Sequence, residues 1–342
     1  MKIAVFGAGS IGVFVGASLS ATGADVVLIG RASMGARIAR HGVTLTDLHE
    51  WEARLHPSSL TYCEDPSALA DGELVLVTVK SADTQAAAQA IRAHAKPSVL
   101  VLSLQNGIGN ADLLRKELPG VAVIGGMVPF NVVQMPESRF HRGTEGELMV
   151  EASPSLSRWH ADFAAARLPL MEREDFLAVQ WGKLLLNLNN PVNALSDLPL
   201  KAELSQRAYR RCLALLIDEA LAVLKAAGIK PAKLGRVAPH LLPTVLRLPD
   251  FLFLRLAAAM LRIDPEARSS MWEDLKAGRK TEIDYLNGAV IRLGQAQGLD
   301  TPANERMVAL VHVAEKRGDC RLDGASLLAA LSNGGQALTP AS

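Results

Sequence analysis

A leucine-rich stretch, WGKLLLNLNNP at residues 181–191, places polar side chains at helical spacing. Counted at about 100° per residue from Lys183, Asn187 falls at about 40° and Asn190 at about −20°, so these side chains form one polar stripe. Asn189 lies about 120° away, which suits packing or a helix cap. A buried amide without a partner costs about 1–3 kcal/mol, so the stripe must be satisfied. A cleft that binds a polar substrate is one way to satisfy it.

The stripe also has a purely structural explanation. Lys183 could extend to water along apolar neighbours while the asparagines bind nearby backbone groups. Pro191 follows the stripe and lacks a backbone N–H, so the carbonyl of Asn187 loses its usual helical partner. We therefore expect the helix to kink or end beside the stripe.

The sequence GAGSIG at residues 7–12 joins a predicted strand to a predicted helix. In this context Gly7 permits a tight turn, Gly9 lets backbone approach a pyrophosphate, and Gly12 allows close packing of helix on sheet. The anion would lie at the helix N-terminus. A turn without a ligand is the alternative. The predicted cofactor contacts of this loop are Gly7, Gly9, Ser10, Ile11 and Gly12.

Two cations follow predicted strands at the carboxyl edge of the sheet. An NAD-binding fold usually has an acidic residue after the second strand for the ribose 2′-hydroxyl, but this chain has LIGRAS, with Arg31. Lys80 follows the strand that ends VTVK. Each cation alone also fits a solvated surface residue. Because arginine suits a 2′-phosphate, the pair favours NADP(H) over NAD(H).

Three further stretches carry polar side chains that could contact a ligand. SLQNGIGN places Asn106 in a loop after the fourth strand, RSSMWEDL places Ser269 and Ser270 on a helix, and KTEIDYLNG places Glu282 at the start of the next helix. For Glu282 taken alone, interaction with the helix macrodipole is the simpler explanation.

Short apolar strands alternate with helical segments in the first half of the chain, which indicates a parallel sheet covered on both faces. The predicted strands are residues 2–7, 24–30, 73–79, 98–104 and 121–128, with a less regular one at 146–152. Beyond about residue 174 the predicted helices are 175–190, 203–227, 240–263, 265–277 and 282–297. The fold class is thus α/β, with an N-terminal Rossmann-type, doubly wound parallel sheet at 1–173 and a C-terminal all-helical domain at 174–331. The tail 332–342 has no core-forming pattern, and we expect it to be mobile.

Composition excludes several classes of protein. The 342 residues are 49% apolar and carry 36 basic against 35 acidic side chains, which favours two soluble domains and disfavours a nucleic-acid partner. Cys63, Cys212 and Cys320 are scattered without metal-ligand spacing, so we predict free thiols, a reducing cytoplasm and no metal site. The apolar run at 251–261 is interrupted by Arg255 and is shorter than the ~20 residues of a membrane span, so we predict none.

Taken together, these motifs resemble those of the ketopantoate reductase family (2-dehydropantoate 2-reductases) over most of the chain. The motifs that carry the resemblance are GAGSIG, Arg31, VTVK ending at Lys80, QNG around Asn106, GKLLLN from Gly182 to Asn187, SSM at 269–271 and TEIDYLNG at 281–288. The resemblance implies NADPH-dependent reduction of a 2-keto acid, in the family ketopantoate to pantoate on the route to pantothenate and coenzyme A.

By position, the resemblance also implies a role for each candidate residue. Lys183 would be the general acid that protonates the carbonyl oxygen and stabilises the developing alkoxide. Asn106 would lie near nicotinamide and substrate, and Asn187 and Ser270 would bind substrate oxygens. Glu282 would accept a hydrogen bond from a substrate hydroxyl and help to orient the lysine. The chemistry would take place in a cleft between the two domains.

The chain departs from the family pattern at the second asparagine. In the family this residue precedes proline and comes eight positions after the lysine, whereas Asn190 comes seven after Lys183, so Asn190 and Asn193 are both candidates. The apolar segment 240–264 leaves open another 2-keto acid or a homodimer contact. Alternative functions are an NADP-dependent reductase of another 2-keto acid, a related dehydrogenase acting on a 3-hydroxy acid or an opine, and a non-catalytic NADP(H)-sensing protein.

Overall fold

The structure is a computed structural model that describes residues 2–257, 267–318 and 321–332. The chain separates into two compact units, Met1–Phe176 and Leu177–Ser342. Cys63 and Cys212 are free thiols. Cys320, the end of the apolar segment 240–264 and the predicted tail beyond Ser332 lie outside the described residues.

The first unit is built on a mainly parallel sheet. Its strands are β1 (Lys2–Phe6), β2 (Asp25–Ile29), β3 (Val43–Thr46), β4 (Glu52–Leu55), β5 (Thr61–Cys63), β6 (Leu74–Val77), β7 (Leu100–Ser103), β8 (Ala122–Met127), β9 (Val132–Met135), β10 (Arg139–Arg142), β11 (Leu148–Glu151) and β12 (Leu170–Arg173). Eight of them form a sheet in the order β12-β11-β8-β7-β6-β1-β2-β5. Only the β8–β11 pair in it is antiparallel. The predicted sheet is confirmed, and the structure adds the edge strands β5 and β12, which the sequence prediction lacked.

Helices cover both faces of this sheet. They are α1 (Ser10–Ala21), α2 (Ala32–His41), α3 (Thr84–His94), α4 (Asn110–Glu117) and α5 (His160–Ala165). Side chains alternate along β1, so that Ile3 and Val5 enter one buried cluster with residues of α1 and α5. Ala4 enters the other cluster with residues of α3 and α4. The sheet is therefore doubly wound, as predicted.

A second sheet of four short strands, in the order β4-β3-β10-β9, was missed by the sequence prediction. Its strands mix polar and apolar residues, as in VTLT of β3 and EARL of β4. Val43, Leu45 and Phe140 nevertheless enter the buried cluster that contains α1. An alternation of four residues is too short to distinguish a strand from a loop by pattern alone.

The described residues of the second unit form helices joined by loops, with no strand among them. From residue 176 onward the helices are α6 (Phe176–Asn187), α7 (Asn189–Ser196), α8 (Leu200–Leu204), α9 (Arg207–Ala226), α10 (Leu242–Leu246), α11 (Asp250–Ala257), α12 (Ser270–Lys276), α13 (Ile283–Ala296), α14 (Pro302–Arg317) and α15 (Gly324–Ser332). Short 3-10 turns lie at Pro57–Ser59, Pro66–Asp71, Ser81–Asp83, Pro154–Trp159 and Pro239–Leu241. The described helices lack the combination of length and apolar character that a membrane span requires.

Three of the long predicted helices are interrupted. The segment 175–190 breaks at Leu188, 203–227 divides into α8 and α9, and 240–263 divides between α10 and α11. In α11, Phe251 has 71% of its surface exposed. The homodimer contact suggested for this segment stays a prediction.

A buried arginine links α9 to the segment that carries α10 and α11. The side chain of Arg210 has no exposed surface and forms an ion pair with Asp250 at 2.8 Å. Its guanidinium also donates to three main-chain carbonyl oxygens, those of Leu204 at 2.9 Å, Leu246 at 3.1 Å and Leu248 at 2.8 Å. One side chain therefore satisfies carbonyl oxygens at the C-terminal ends of α8 and α10.

Replacing Arg210 by alanine is expected to lower the free energy of unfolding by about 3–5 kcal/mol, because the carbonyl groups it serves lose their donor. Chemical denaturation measures this difference. The matched control is Arg211→Ala, because Arg211 is exposed on the same helix and should change stability by less than about 0.5 kcal/mol. Equal losses in the two variants would contradict a structural role for Arg210.

Candidate active site

The glycine loop makes a turn that only glycine fits. Gly7 has φ +115°, and a Cβ there would come within 2.6 Å of the backbone nitrogen of Val79. The backbone nitrogens of Gly7 and Ala8 both donate to the carbonyl of Ile29 at 3.0 Å. The turn is therefore held by hydrogen bonds to the end of β2 and packs closely against the backbone that follows β6.

The N-terminus of α1 has the features of an anion site. Gly9 precedes the helix, and a Cβ on it would meet nothing within 4 Å. At Gly12, by contrast, a Cβ would lie 2.2 Å from the carbonyl oxygen of Gly7 and 2.6 Å from Thr78 Oγ1. The first turn of α1 contains no acidic residue. Its N–H groups, those of Ser10 and Ile11 among them, have no acceptor within the helix, and the helix dipole favours a negative group there.

Tyr62, on the edge strand β5, holds the backbone that carries Arg31. Its phenol donates to the carbonyl of Arg31 at 2.8 Å. A Cβ would come within 2.6 Å of the phenol oxygen at Gly30 and within 2.7 Å of the ring at Gly35. Burial, with the charge of Glu64 as the second cause, raises the pKa of Tyr62 to about 12, so the phenol keeps its proton at neutral pH. Sequence reasoning missed Tyr62, because strand β5 was not predicted and its contacts with Gly30 and Gly35 arise only in the fold.

Arg31 itself projects from the start of α2. It precedes the first residue of that helix, and its side chain is exposed. The carbonyl of Arg31 also accepts from the backbone nitrogens of Met34 at 3.0 Å and Gly35 at 3.2 Å. The main chain of Arg31 is thus fixed while its guanidinium faces solvent.

A buried hydrogen-bond network joins the loop after β6 to the loop after β7. Asn110 Nδ2 donates to the carbonyl of Asn106 at 2.6 Å and to Ser81 Oγ at 3.1 Å. Ser81 Oγ donates to the same carbonyl of Asn106 at 3.1 Å. Gln105 Nε2 donates to Thr84 Oγ1, and Thr84 Oγ1 donates to the carbonyl of Ser81, both at 2.8 Å. The network fixes the main chain of both loops.

The predicted contact residues of these loops are Lys80 and Asn106. Lys80 is exposed and Asn106 is half-buried. They follow the neighbouring parallel strands β6 and β7, so both lie at the carboxyl edge of the sheet, as predicted. The buried partners Ser81, Thr84 and Asn110 were missed, because each is an ordinary polar residue until the two loops meet.

In the second unit, Lys183 and Asn187 lie on the less buried face of α6. Both are half-buried, and Leu186 beside them is exposed. The side chains of Leu184 and Leu185 on the other faces are completely buried or nearly so. Lys183 and Asn187 therefore lie at the edge between the buried and the exposed face of α6.

Close backbone packing occurs directly beside the lysine. A Cβ on Gly182 would come within 2.4 Å of the carbonyl oxygen of Ala232, and the nitrogen of Ala232 donates to the carbonyl of Ala178 at 2.8 Å. Withdrawal from water lowers the pKa of Lys183 from its ordinary value of 10.5 to about 8. An ammonium group with this pKa can lose its proton close to neutral pH.

The polar stripe coincides with the predicted break in the helix. α6 ends at Asn187, and α7 begins at Asn189, so Asn190 does not lie on the same helix as Lys183 and Asn187, and the predicted stripe of three residues is wrong at its third member. Pro191 lies in the first turn of α7, where a missing N–H removes no helical hydrogen bond. The prediction that the helix ends beside the stripe is confirmed.

Asn190 and Asn193 have different environments. Asn193 is completely buried, and its Nδ2 donates to Glu203 Oε2 and to the carbonyl of Leu198, both at 2.9 Å. Its Oδ1 accepts from the nitrogen of Ser269 at 2.9 Å. Asn190 is half-buried, and its carbonyl accepts from Ser269 Oγ at 3.1 Å. The Asn193 amide is thus used within the protein, and Asn190 is the better placed to meet a ligand.

Ser270 and Glu282 begin two helices in the same unit. Ser269 caps α12, accepting from the nitrogen of Trp272 at 3.1 Å, which leaves the exposed Ser270 as the first residue of that helix. Glu282 precedes α13 and is 9% exposed. Its side chain does not cap α13, so capping does not account for the buried acid.

Two family models match the chain. The one described as "Ketopantoate reductase PanE/ApbA" matches residues 3–155, and the one described as "Ketopantoate reductase PanE/ApbA C terminal" matches residues 175–315. A 2-dehydropantoate 2-reductase of Caulobacter vibrioides is 30% identical over 249 residues, which are 73% of this chain and 80% of that protein.

Solved structures share the fold. The PanE/ApbA family ketopantoate reductase of Ralstonia eutropha JMP134 is similar with a TM-score of 0.79 and 32% identity, covering 93% of this chain and 99% of that one. A D-mandelate dehydrogenase, solved with NADH and anilino(oxo)acetate, gives a TM-score of 0.75 at 23% identity, covering 93% of this chain and 99% of its own.

Alanine at Gly9 and at Gly12 separates ligand contact from packing. Gly9→Ala adds a methyl group in open space, so we expect an unchanged melting temperature and at least about tenfold weaker binding of a nicotinamide dinucleotide. Gly12→Ala should lower the melting temperature as well, because its methyl group would displace the carbonyl of Gly7. Fluorescence titration with NADPH and calorimetric unfolding measure the two effects. If Gly9→Ala binds like the wild type, the loop is a structural turn only.

Proposed function

Because the chain belongs to the ketopantoate reductase family and is therefore an oxidoreductase, we propose that it reduces the ketone of a 2-keto acid, ketopantoate foremost, with NADPH. Pantoate formed in this way would serve pantothenate and coenzyme A synthesis. The observation that carries the proposal is the half-buried stripe of Lys183 and Asn187 on α6, in which burial lowers the pKa of the lysine to about 8.

Lys183 is the proposed general acid. At neutral pH a group with a pKa of about 8 is mostly protonated, yet it releases its proton far more readily than a lysine in water. Its positive charge also stabilises the negative charge that develops on the carbonyl oxygen. The carbonyl carbon gains a hydride, the oxygen gains the proton of Lys183, and the product is a 2-hydroxy acid.

The other candidate residues bind and orient the substrate in this proposal. The amide of Asn187, one helical turn from Lys183, donates to a substrate oxygen, and Asn190 and Ser270 bind further oxygens from the starts of α7 and α12. Glu282 accepts from a substrate hydroxyl and orients the lysine. Asn106, in the first unit, is the proposed contact of the nicotinamide.

A nicotinamide dinucleotide fits the first unit, because the loop at Gly9 is open and the N-terminus of α1 suits a pyrophosphate. When bound in reduced form, the dinucleotide supplies the hydride. The exposed guanidinium of Arg31 is the proposed partner of the 2′-phosphate, with Lys80 as the second cation. This assignment favours NADPH over NADH.

Lys183→Ala is expected to lower kcat/KM for ketopantoate by about 10²–10⁴-fold, because the proton donor is lost. NADPH affinity should stay unchanged. In the wild type, kcat/KM should fall above about pH 8, as the lysine loses the proton that the reaction needs. Following NADPH absorbance with ketopantoate and other branched 2-keto acids measures both effects.

Lys201→Ala is the matched control for this variant, because Lys201 is an exposed lysine of the same unit. It should behave like the wild type at every pH. Near-normal turnover by Lys183→Ala would remove the lysine from its role. Turnover of a different keto acid alone would change the substrate and leave the role of the lysine intact.

Arg31→Ala is expected to weaken NADPH binding by at least about tenfold and to leave NADH binding unchanged, because only NADPH has the 2′-phosphate. Titrations of both nucleotides test this selectivity. Arg40→Ala serves as the control, since Arg40 is exposed on the same helix α2. An equal effect on the two nucleotides would refute the phosphate assignment.

A further inference from the structure

A carboxyl group that the proposed reduction does not use lies inside the second unit. Glu203, on the short helix α8, is completely buried. Its Oε2 accepts from Asn193 Nδ2 at 2.9 Å and from Asn189 Nδ2 at 3.3 Å. Its Oε1 and the Oδ1 of Asn189 have no hydrogen-bond partner among the described residues. Such a costly arrangement calls for an explanation beyond core packing.

The partners of Glu203 connect two helices that carry proposed substrate residues. Asn193 lies in α7, three residues after Asn190, and its Oδ1 accepts from the nitrogen of Ser269. Ser269 Oγ in turn donates to the carbonyl of Asn190. Because Ser269 caps α12, these bonds set where that helix begins and where Ser270 is presented.

A second set of bonds fixes the same junction. Arg268 Nη1 donates to the carbonyl of Asp197 at 2.9 Å, and Trp272 Nε1 donates to Asp197 Oδ1 at 2.6 Å. The nitrogen of Leu200, the first residue of α8, donates to the carbonyl of Ala267 at 2.9 Å. The helix that bears Glu203 is therefore tied directly to the segment that leads into α12.

We propose that Glu203 is a positioning residue for substrate binding: its carboxyl group holds Asn189 and Asn193 and, through Asn193, sets Ser270 at the start of α12 relative to Asn190. The inference rests on the proposed function, in which Asn190 and Ser270 bind the keto acid. Glu203 itself contacts neither substrate nor cofactor in this scheme.

The carboxyl group performs this role in its neutral form. Burial raises the pKa of Glu203 to about 8, although the hydrogen bonds from Asn193 and Asn189 act to lower it. The groups that face it from α7 are these neutral amides. On α9, Tyr209 and Cys212 interact electrostatically with Glu203 when they are ionised. Burial raises the pKa of both side chains, that of Cys212 to about 12. Neither α9 group ionises between pH 7 and 9.

Ionisation of Glu203 therefore places an uncompensated negative charge beside the two asparagines. A carboxylate in this position has the same two amide donors, and among the described residues no cation forms an ion pair with it to offset its desolvation. Above about pH 8 we expect the junction of α7 and α12 to loosen. A glutamine has the shape of the neutral acid and cannot ionise, so Glu203→Gln isolates this effect.

The first experiment measures stability against pH in the wild type and in Glu203→Gln, without ligand. Between about pH 5 and 8 the folded wild type keeps a proton that its unfolded chain releases, so its stability falls as pH rises through this window. The unfolding equilibrium constant of the wild type should rise about tenfold per pH unit relative to that of Glu203→Gln. If the ratio of the two unfolding equilibrium constants did not change with pH, the proposal that Glu203 is neutral would be refuted.

The second experiment measures binding of ketopantoate to the enzyme with NADP+ by calorimetry at pH 7. Glu203→Ala and Asn193→Ala should each weaken ketopantoate binding by about tenfold, and the double variant should be no worse than either. NADPH affinity should stay within about twofold in every variant. Glu203→Gln should bind ketopantoate like the wild type. Lys201→Ala, an exposed change on the same helix, is the control.

Two results would overturn the positioning role. In the first, the double variant loses as much ketopantoate affinity as the two single variants together; in the second, the variants lose ketopantoate and NADPH affinity equally. If the alanine variants fail to fold, Glu203→Gln decides: from pH 7 to 9 the wild type should lose more ketopantoate affinity than this variant does. Lys183 titrates in both proteins, so only their difference counts. A wild type that does not bind ketopantoate overturns the proposed function itself, and the stability experiment reports on Glu203 separately.

Discussion

Withdrawal of polar groups from water is the constraint on which the candidate site depends. Burial in α6 lowers the pKa of Lys183 from 10.5 to about 8. This shift changes the balance between the two protonation states by on the order of 3 kcal/mol. The lysine reaches this state beside the exposed Leu186, whereas Leu184 and Leu185 occupy the fully buried faces. A lysine at either of those leucine positions would be desolvated further and would lose its charge at neutral pH.

The same constraint separates the asparagines that serve the fold from those that we propose to bind a ligand. Asn193 and Asn110 are buried, and both bind neighbouring loops or helices through their side chains. Asn106, Asn187 and Asn190 are half-buried. Residue type alone does not distinguish the two groups, but the depth of burial does.

The sequence predicted the parts of the structure that depend on local pattern. Continuous apolar runs identified β1, β2, β6, β7 and β8, because strands buried on both faces need no polar residues. The glycine spacing identified the turn at Gly7, and the missing N–H of Pro191 predicted the end of α6. The strands of the second sheet were missed, because four residues of mixed polarity contain too little periodicity.

The positioning residues could not be predicted for a different reason. The roles of Tyr62, Thr84 and Glu203 exist only after distant segments meet, and each residue has an unremarkable neighbourhood in the sequence. Glu203 in particular stands at the start of the predicted helix 203–227, where no motif marks it, yet it is completely buried in the structure. Tertiary contact, rather than chemical type, decides whether such a residue supports a site.

Cofactor preference and catalysis depend on the fold to different degrees. The loop at Gly7 and the carbonyl of Arg31 are fixed by the turn and by Tyr62, while the guanidinium of Arg31 projects into solvent. A change of that side chain removes no core contact, so selectivity for a 2′-phosphate can vary without loss of stability. Lys183 allows less freedom, because withdrawal from water lowers its pKa and the neighbouring Gly182 packs against the carbonyl of Ala232. In the proposed scheme, the contact with the 2′-phosphate therefore depends on an exposed side chain, whereas the protonation of Lys183 depends on its withdrawal from water.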